Sequence, residues 1–186
     1  TSNESVFSER LERYSGTAVY KINFGDHYLK PFEKLDKTPI IGDFIRDIRL
    51  YWMPKYFESS LALDTENKVI KQRAGSITDN PRFKMIRKFK LDYQITKSFN
   101  TTYNKNINSD LLQYINDKTG FIADMSPGRI ENITETLKNS FSPDFLKWLK
   151  PSVSYNTAYS WSRSDLFSPV AVSSNSDINF RSTISL

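Results

Sequence analysis

Apolar and polar residues alternate along several stretches of this chain. From Leu91 to Ile107 the apolar and aromatic side chains, Leu91, Tyr93, Ile95, Phe99, Tyr103 and Ile107, all fall at odd positions. The even ones carry Asp92, Gln94, Thr96, Ser98, Asn100, Thr102, Asn104 and Asn106. A period of two sends the two sets to opposite sides of a strand. The run begins near Met85, and Thr96-Lys97-Ser98 at its centre predicts a tight hairpin turn. The alternation recurs in Ala18–Phe24, between Gly16 and Gly25, and in Ile48–Trp52. Pro54, which has no N–H for a ladder, interrupts it there, and it resumes in Phe57–Leu63. Two further strands are predicted in 151–163, with Val153, Tyr155, Tyr159 and Trp161 on one side, and in 175–186, with Ile178, Phe180, Ile184 and Leu186.

Between these runs the pattern lapses. Residues 1–14 are polar and read as a loop or short helix. The stretch after His27 is broken by Pro31, Pro39 and Gly42 and reads as a loop with one helical turn. Residues 65–80, with Gly75 and Asp79-Asn80-Pro81, read as a loop tip. From 108 to 150 turn sequences dominate, and Ile130, Ile133, Leu137 and Phe141, spaced by three and four, predict a short amphipathic helix over 130–140. The expected fold is all-β: antiparallel amphipathic strands with long loops, strand-rich in 16–107 and 151–186, with a loop and helix insertion over 108–150.

Composition narrows the function more than the fold. The 186 residues suffice for one sizeable core, and 38% are hydrophobic, with a mean hydropathy of −0.53. No run approaches the roughly 20 apolar residues of a membrane helix. A membrane barrel remains open, because its lumen-facing residues dilute the apolar half. Cysteine is absent, which removes disulfides and thiolate metal sites. The chain starts at Thr1 and reads as a mature form or a slice of something longer. The net charge of +5 comes from scattered Lys and Arg, with no compact basic patch interleaved with aromatics, so a nucleic-acid partner is not expected.

Catalytic chemistry is not evident. The single histidine, His27, sits beside Asp26 with no further partner of catalytic or metal-ligating type in the pattern. With only 6 glycines there is no phosphate-binding loop, and neither a paired-carboxylate nor a G-x-S-x-G signature occurs. Asp64 and Glu66 read as a solvated strand end. No enzyme activity, catalytic residue, cofactor, metal or small-molecule substrate is expected. Aromatics are abundant, and Tyr51, Trp52, Tyr56 and Phe57, like Tyr155, Tyr159 and Trp161, cluster at strand ends. Membrane barrels use such clusters as interfacial girdles, and soluble sheets use them as core. The residues alone leave both readings open.

Three stretches carry a resemblance. "DIRLYWMPKYFESSLALDTENKVIKQR" pairs an aromatic-Pro strand with a serine-containing one. "FKMIRKFKLDYQITKSFNTTYN" has a Thr-Lys-Ser turn. "LKPSVSYNTAYSWSRS", followed by "INFRSTISL", has a Tyr-x-Trp strand. Together, in this order over Gly16–Leu186, they resemble the SprA/Sov family of giant outer-membrane proteins of Bacteroidota-type bacteria. Those proteins are the translocons of type IX secretion, linked in some members to gliding motility. Asn67-Lys68 departs from the usual Asn-Arg pair, and the Asn-rich ending is reduced to Asn175 and Asn179. The resemblance implies a slice of a very large transmembrane β-barrel in the outer membrane, with surface-exposed loops, that conducts folded cargo proteins and is gated or plugged by partner proteins. It further implies that Leu91, Tyr93, Ile95, Phe99 and Tyr103 face lipid, and that Asp92, Gln94, Asn100, Thr102 and Asn104 face the lumen. The competing expectation is a soluble β-rich binding domain of a secreted or cell-surface protein, its apolar side packed on a second sheet or on the 130–140 helix.

Overall fold

The computed structural model of the chain describes residues 6–33, 47–72, 75–143, 149–163 and 169–184. Seven long strands form one antiparallel sheet: β1 (Val6–Asn23), β4 (Tyr56–Gln72), β5 (Ile77–Thr96), β6 (Phe99–Asp110), β7 (Arg129–Phe141), β8 (Leu149–Ser162) and β9 (Ala171–Ile184). They lie side by side in chain order, an up-and-down meander. Two short strands, β2 (Tyr28–Leu29) and β3 (Leu50–Tyr51), pair separately in the β1–β4 connection. A 3₁₀ turn (Leu112–Tyr114) and one helical turn, α1 (Gly120–Ala123), occupy the β6–β7 connection. No described helix is long and apolar enough to cross a membrane, which says nothing of strands.

The hairpin at Thr96–Ser98 is present. β5 ends at Thr96, β6 starts at Phe99, and the Ser98 N–H donates to the Thr96 Oγ1 (3.2 Å). Other expectations are corrected. Residues 129–141 are strand, not helix. Ile130 and Ile133 share a side because Glu131 is a bulge: Asn108 pairs with Asn132 while Ser109 pairs with Ile130. The spacing of four from Ile133 to Leu137 to Phe141 suits a strand as well as a helix. Asn132, Thr134 and Thr136 are also poor helix formers. Residues 6–14 and 65–72 are likewise strand, held by cross-strand pairs such as Arg13–Glu66 although charged and apolar residues do not alternate along them. Of the Ile48–Trp52 run only Leu50–Tyr51 is strand, and the segment 34–46 falls outside the described residues.

The sheet is sheared. One hydrogen-bonded row runs Ile22, Phe57, Leu91, Tyr103, Leu137, Thr157, Ser176. Its distance to the strand end nearest the β5–β6 turn grows from one residue in β1 (Ile22 to Asn23) to eight in β9 (Ser176 to Ile184). Toward the opposite end it shrinks from sixteen (Ile22 to Val6) to five (Ser176 to Ala171). Seven residues at ~3.3 Å over six strand spacings of ~4.8 Å correspond to a tilt of about 40°. Closed barrels need such a tilt, about 35–45°.

A small core sits at one rim. Phe83 and Met85 of β5 pack with Leu111 and Phe121 of the β6–β7 connection, flanked by Leu63, Tyr114 and Ile115. The Phe83 and Phe121 rings meet edge-on at 5.8 Å. Gly128 closes this loop onto β6: its φ is +70°, and a Cβ there would lie 2.8 Å from the Asp110 carbonyl oxygen. Gly128→Ala is therefore expected to cost more than about 1 kcal/mol and to loosen the loop, read as faster proteolysis between Leu111 and Gly128. Asp117 holds α1 from below. Its carboxylate accepts from the Thr119 hydroxyl (2.9 Å) and the Thr119 and Gly120 N–H groups, which keeps it under the usual carboxylate range. A depressed folded pKa means this support is present above the unfolded value and fades as pH falls through the folded one. Proteolysis of the loop should therefore quicken only below about pH 4.

Candidate functional site: the two sides of the sheet

Residues paired across a ladder project to the same side, so the register sorts the whole sheet into two surfaces. One carries Tyr20 and Ile22; Phe57, Leu61 and Leu63; Phe83, Met85, Phe89, Leu91 and Tyr93; Tyr103 and Ile107; Ile133, Leu137 and Phe141; Val153, Tyr155, Tyr159 and Trp161; and Ile178 and Phe180. The opposite surface is almost wholly polar. Leu91, Tyr93, Phe99 and Tyr103 fall on the apolar side, with Leu91 paired to Tyr103 and Phe99 to Phe141, while Ile95 is the extra residue of a bulge between Gln94 and Thr96 and has no ladder partner. Asp92, Gln94, Asn100, Thr102 and Asn104 all fall on the polar side, with Asp92 paired to Thr102 and Gln94 to Asn100.

Among the described residues, only the two end connections cover the apolar side, and only at its rims. Tyr28, Leu29, Leu50, Trp52, Leu61, Tyr155, Tyr159, Ile178 and Phe180 all remain exposed, and the fully buried apolar core is confined to four residues. A soluble monomer rarely leaves so large a contiguous apolar surface open. The apolar side also has an edge. Past Tyr14, Thr65 and Phe83, where β6 to β9 have ended, β1, β4 and β5 continue with Glu12, Asn67 and Pro81 and then Arg10, Val69 and Asp79 on that same side. β6 to β9 hold 12 to 14 residues each, roughly 40–46 Å long and roughly 30–35 Å tall at a 40° tilt.

The polar side is divided. Over β1, β4, β5 and the rim of β7 it is a lattice of ion pairs: Lys68–Glu9 (2.9 Å), Arg13–Glu66, Lys84–Glu131 (2.9 Å), Arg129–Asp110 (2.7 Å) and Lys90–Asp92 (3.1 Å). Over β6 to β9 it is mainly amide and hydroxyl, with contacts such as Asn104 to Thr136 (3.3 Å) and Asn156 to Asp177 (3.0 Å). The sequence reading missed two polar features of the apolar side. Lys105 and Glu135 are direct cross-strand partners there, 2.7 Å apart and each half-buried. Arg87 reaches toward the rim loop, donating to the Ser109 Oγ (2.9 Å) and the Pro127 carbonyl (3.3 Å). Lys105–Glu135 became visible only with the register, since 105 and 135 are far apart in sequence.

The hand of the shear distinguishes the two sides. Seen from the apolar side with the β5–β6 turn uppermost, β5 ascends and Phe83 points at the viewer. The chirality of an L-residue then directs its N–H and C=O to the right, where its carbonyl accepts from the Leu111 N–H (2.8 Å). So β6 lies to the right of β5, and the Ser142-to-Ser98 bond places β7 to the right again. Toward the right the strands reach further above the row, so with their ends aligned the row sinks to the right and the strands, perpendicular to it, rise to the right. A cylinder whose strands rise to the right on its outer surface has the −20 to −25° rotation between neighbours found in twisted sheets. In a sheet closed into such a cylinder the apolar side would be the outer one.

His27 lies beside Trp52, ring centroids 5.8 Å apart, and among the described residues no three His, Asp or Glu side chains gather as metal ligands. Set against protein-family models and curated proteins, the chain matches none.

Proposed function

We propose that this chain is part of the wall of a very large outer-membrane β-barrel through which folded secreted proteins cross, as in type IX secretion and gliding motility. In this reading the apolar side meets lipid and the polar side lines a wet lumen. The observation that carries it is the division of one seven-stranded sheet into an open, mainly apolar side and a polar side, with a shear whose hand in a closed cylinder puts the polar side inside. The free ladder edges of β1 and β9 fit continuation by further strands of a longer chain, which would leave no unpaired backbone in the bilayer.

Conduction needs no cofactor. Small hydroxyls and amides over β6 to β9 stay hydrated and offer cargo no apolar patch to adhere to. The charges over β1, β4 and β5 largely neutralise one another, so cargo of either sign meets little net field. Gating falls to partner proteins. The second reading, a soluble β-rich binding domain, draws on one observation: the Lys105–Glu135 pair on the apolar side.

Photo-crosslinking during secretion separates the two. A benzoyl-phenylalanine at Asn104 or Asn156 of the full-length protein is expected to capture secreted cargo. The same probe at Leu137 or Ile178 is expected to capture lipid and no cargo. Cargo captured from Leu137, or from neither side, would sink the proposal.

A further inference from the structure

The two connections that fold onto the rims of the apolar side share an unusual design. The β2–β3 unit is tied to the sheet by the Tyr93 hydroxyl, which donates to the Tyr51 carbonyl (2.9 Å), and by the Lys55 N–H, which donates to the Asp92 carbonyl (2.9 Å). It covers the rim near the β5–β6 turn, yet turns Leu29 and Trp52 outward, 63% and 58% exposed. At the opposite rim the 111–128 loop covers Phe83 and Met85 with Leu111 and Phe121, yet turns Ile122 and Met125 outward, 65% and 90% exposed. Each loop therefore buries one apolar surface and presents another. A loop in water gains nothing from that outer surface, since every apolar Å² left exposed forgoes about 25 cal/mol.

We propose that these two loops are membrane feet, lying in the head-group zones of the two leaflets and setting the depth of the sheet. The inference rests on the barrel reading and adds to it two lipid contacts outside the strands. Three observations point to the lipid boundary as occupant. The loops sit where the apolar side stops at either end. Both loops are anchored on β5, at Tyr93 and at Phe83, ten residues apart, roughly 33 Å along the strand and roughly 25 Å in height at a 40° tilt, the height of a barrel's apolar band. Their chemistry is interfacial, with an indole and phenols beside cations: the Arg49 guanidinium stacks over Tyr28 (4.5 Å), and the Lys118 ammonium lies over Tyr14 (5.4 Å). Beyond the 111–128 foot, β1, β4 and β5 place charged or polar residues on the formerly apolar side, among them Glu12, Asn67, Arg10 and Asp79, as strands leaving the membrane do.

The test uses single spin labels on the full-length protein in phospholipid vesicles, with any other cysteine removed. Trp52→Cys, Ile122→Cys and Met125→Cys report on the feet, Leu137→Cys on the middle of the apolar side and Asn80→Cys on water. Collisions with oxygen are compared with collisions with a nickel chelate. The oxygen-to-nickel ratio at 52, 122 and 125 is expected to lie well above that at 80 and well below that at 137. Ratios equal to that at 80, with 137 lipid-like, would overturn the feet and leave the barrel standing. Ratios equal to that at 137 would place the loops in hydrocarbon and also overturn the head-group assignment. A label at 137 shielded from both reagents would remove the barrel reading itself, and the feet with it.

Discussion

If the apolar side meets lipid as proposed, Glu135→Gln is expected to destabilise the full-length protein in bilayers by about 2–4 kcal/mol, because it strands the Lys105 ammonium near the middle of that side. Lys105→Met leaves Glu135 alone and should cost less, since an acidic side chain is less expensive on a barrel's lipid face and can take up a proton. Replacing both, as Lys105→Met with Glu135→Leu, should be neutral or stabilising, because two desolvated charges give way to apolar packing. Thermal or urea midpoints of the three variants in nanodiscs check the series. If the apolar side were wet, the pair would be worth less than about 1 kcal/mol and the single variants would barely differ from the parent. If it were a protein core, both single variants would cost similar, large amounts.

Arg substitution at Leu137, midway along β7 on the apolar side, is expected to cost about 2–4 kcal/mol and to lower the assembled amount sharply. One residue away, Thr136→Arg projects to the polar side and should be nearly neutral. At Tyr93 the same change should cost only about 0–1 kcal/mol from the bilayer, because Tyr93 lies near the rim. The lost hydrogen bond to the Tyr51 carbonyl would add about 1 kcal/mol. The ordering Leu137 over Tyr93 over Thr136 follows depth in the band. In a soluble core, depth along the strand would not set the cost.

Much of the strand layout was legible because a period of two is direct evidence of two environments. The hairpin at Thr96–Ser98, the strand through Phe57 and Leu63, and the Val153–Trp161 strand all follow from it. The rest was hidden for identifiable reasons. β7 looked helical because a single bulge at Glu131 inserts an odd spacing, and spacings of four fit both periods. The outer parts of β1, β4 and β5 read as loop because their few apolar residues, such as Leu11, Val69 and Ile70, fall on both sides among charges, so no clean alternation marks them. Their strand character comes from pairing, as between Arg13 and Glu66. The side assignment of the candidate residues was legible as parity. That all seven strands add their apolar parities to one surface was not legible, since register depends on turn geometry that local pattern does not encode. The Lys105–Glu135 pair was invisible for the same reason.

The central claim is that one side of this sheet meets lipid and the other a wet lumen. Spin labels placed one at a time at Phe89, Leu91, Tyr103 and Leu137, and at Lys90, Asn104 and Thr136, of the full-length protein in bilayers test it most directly. The first set is expected to collide freely with oxygen and to be shielded from a nickel chelate, and the second set to show the reverse. The first set shielded from both reagents, as inside a protein core, or open to nickel, as in water, would contradict the account.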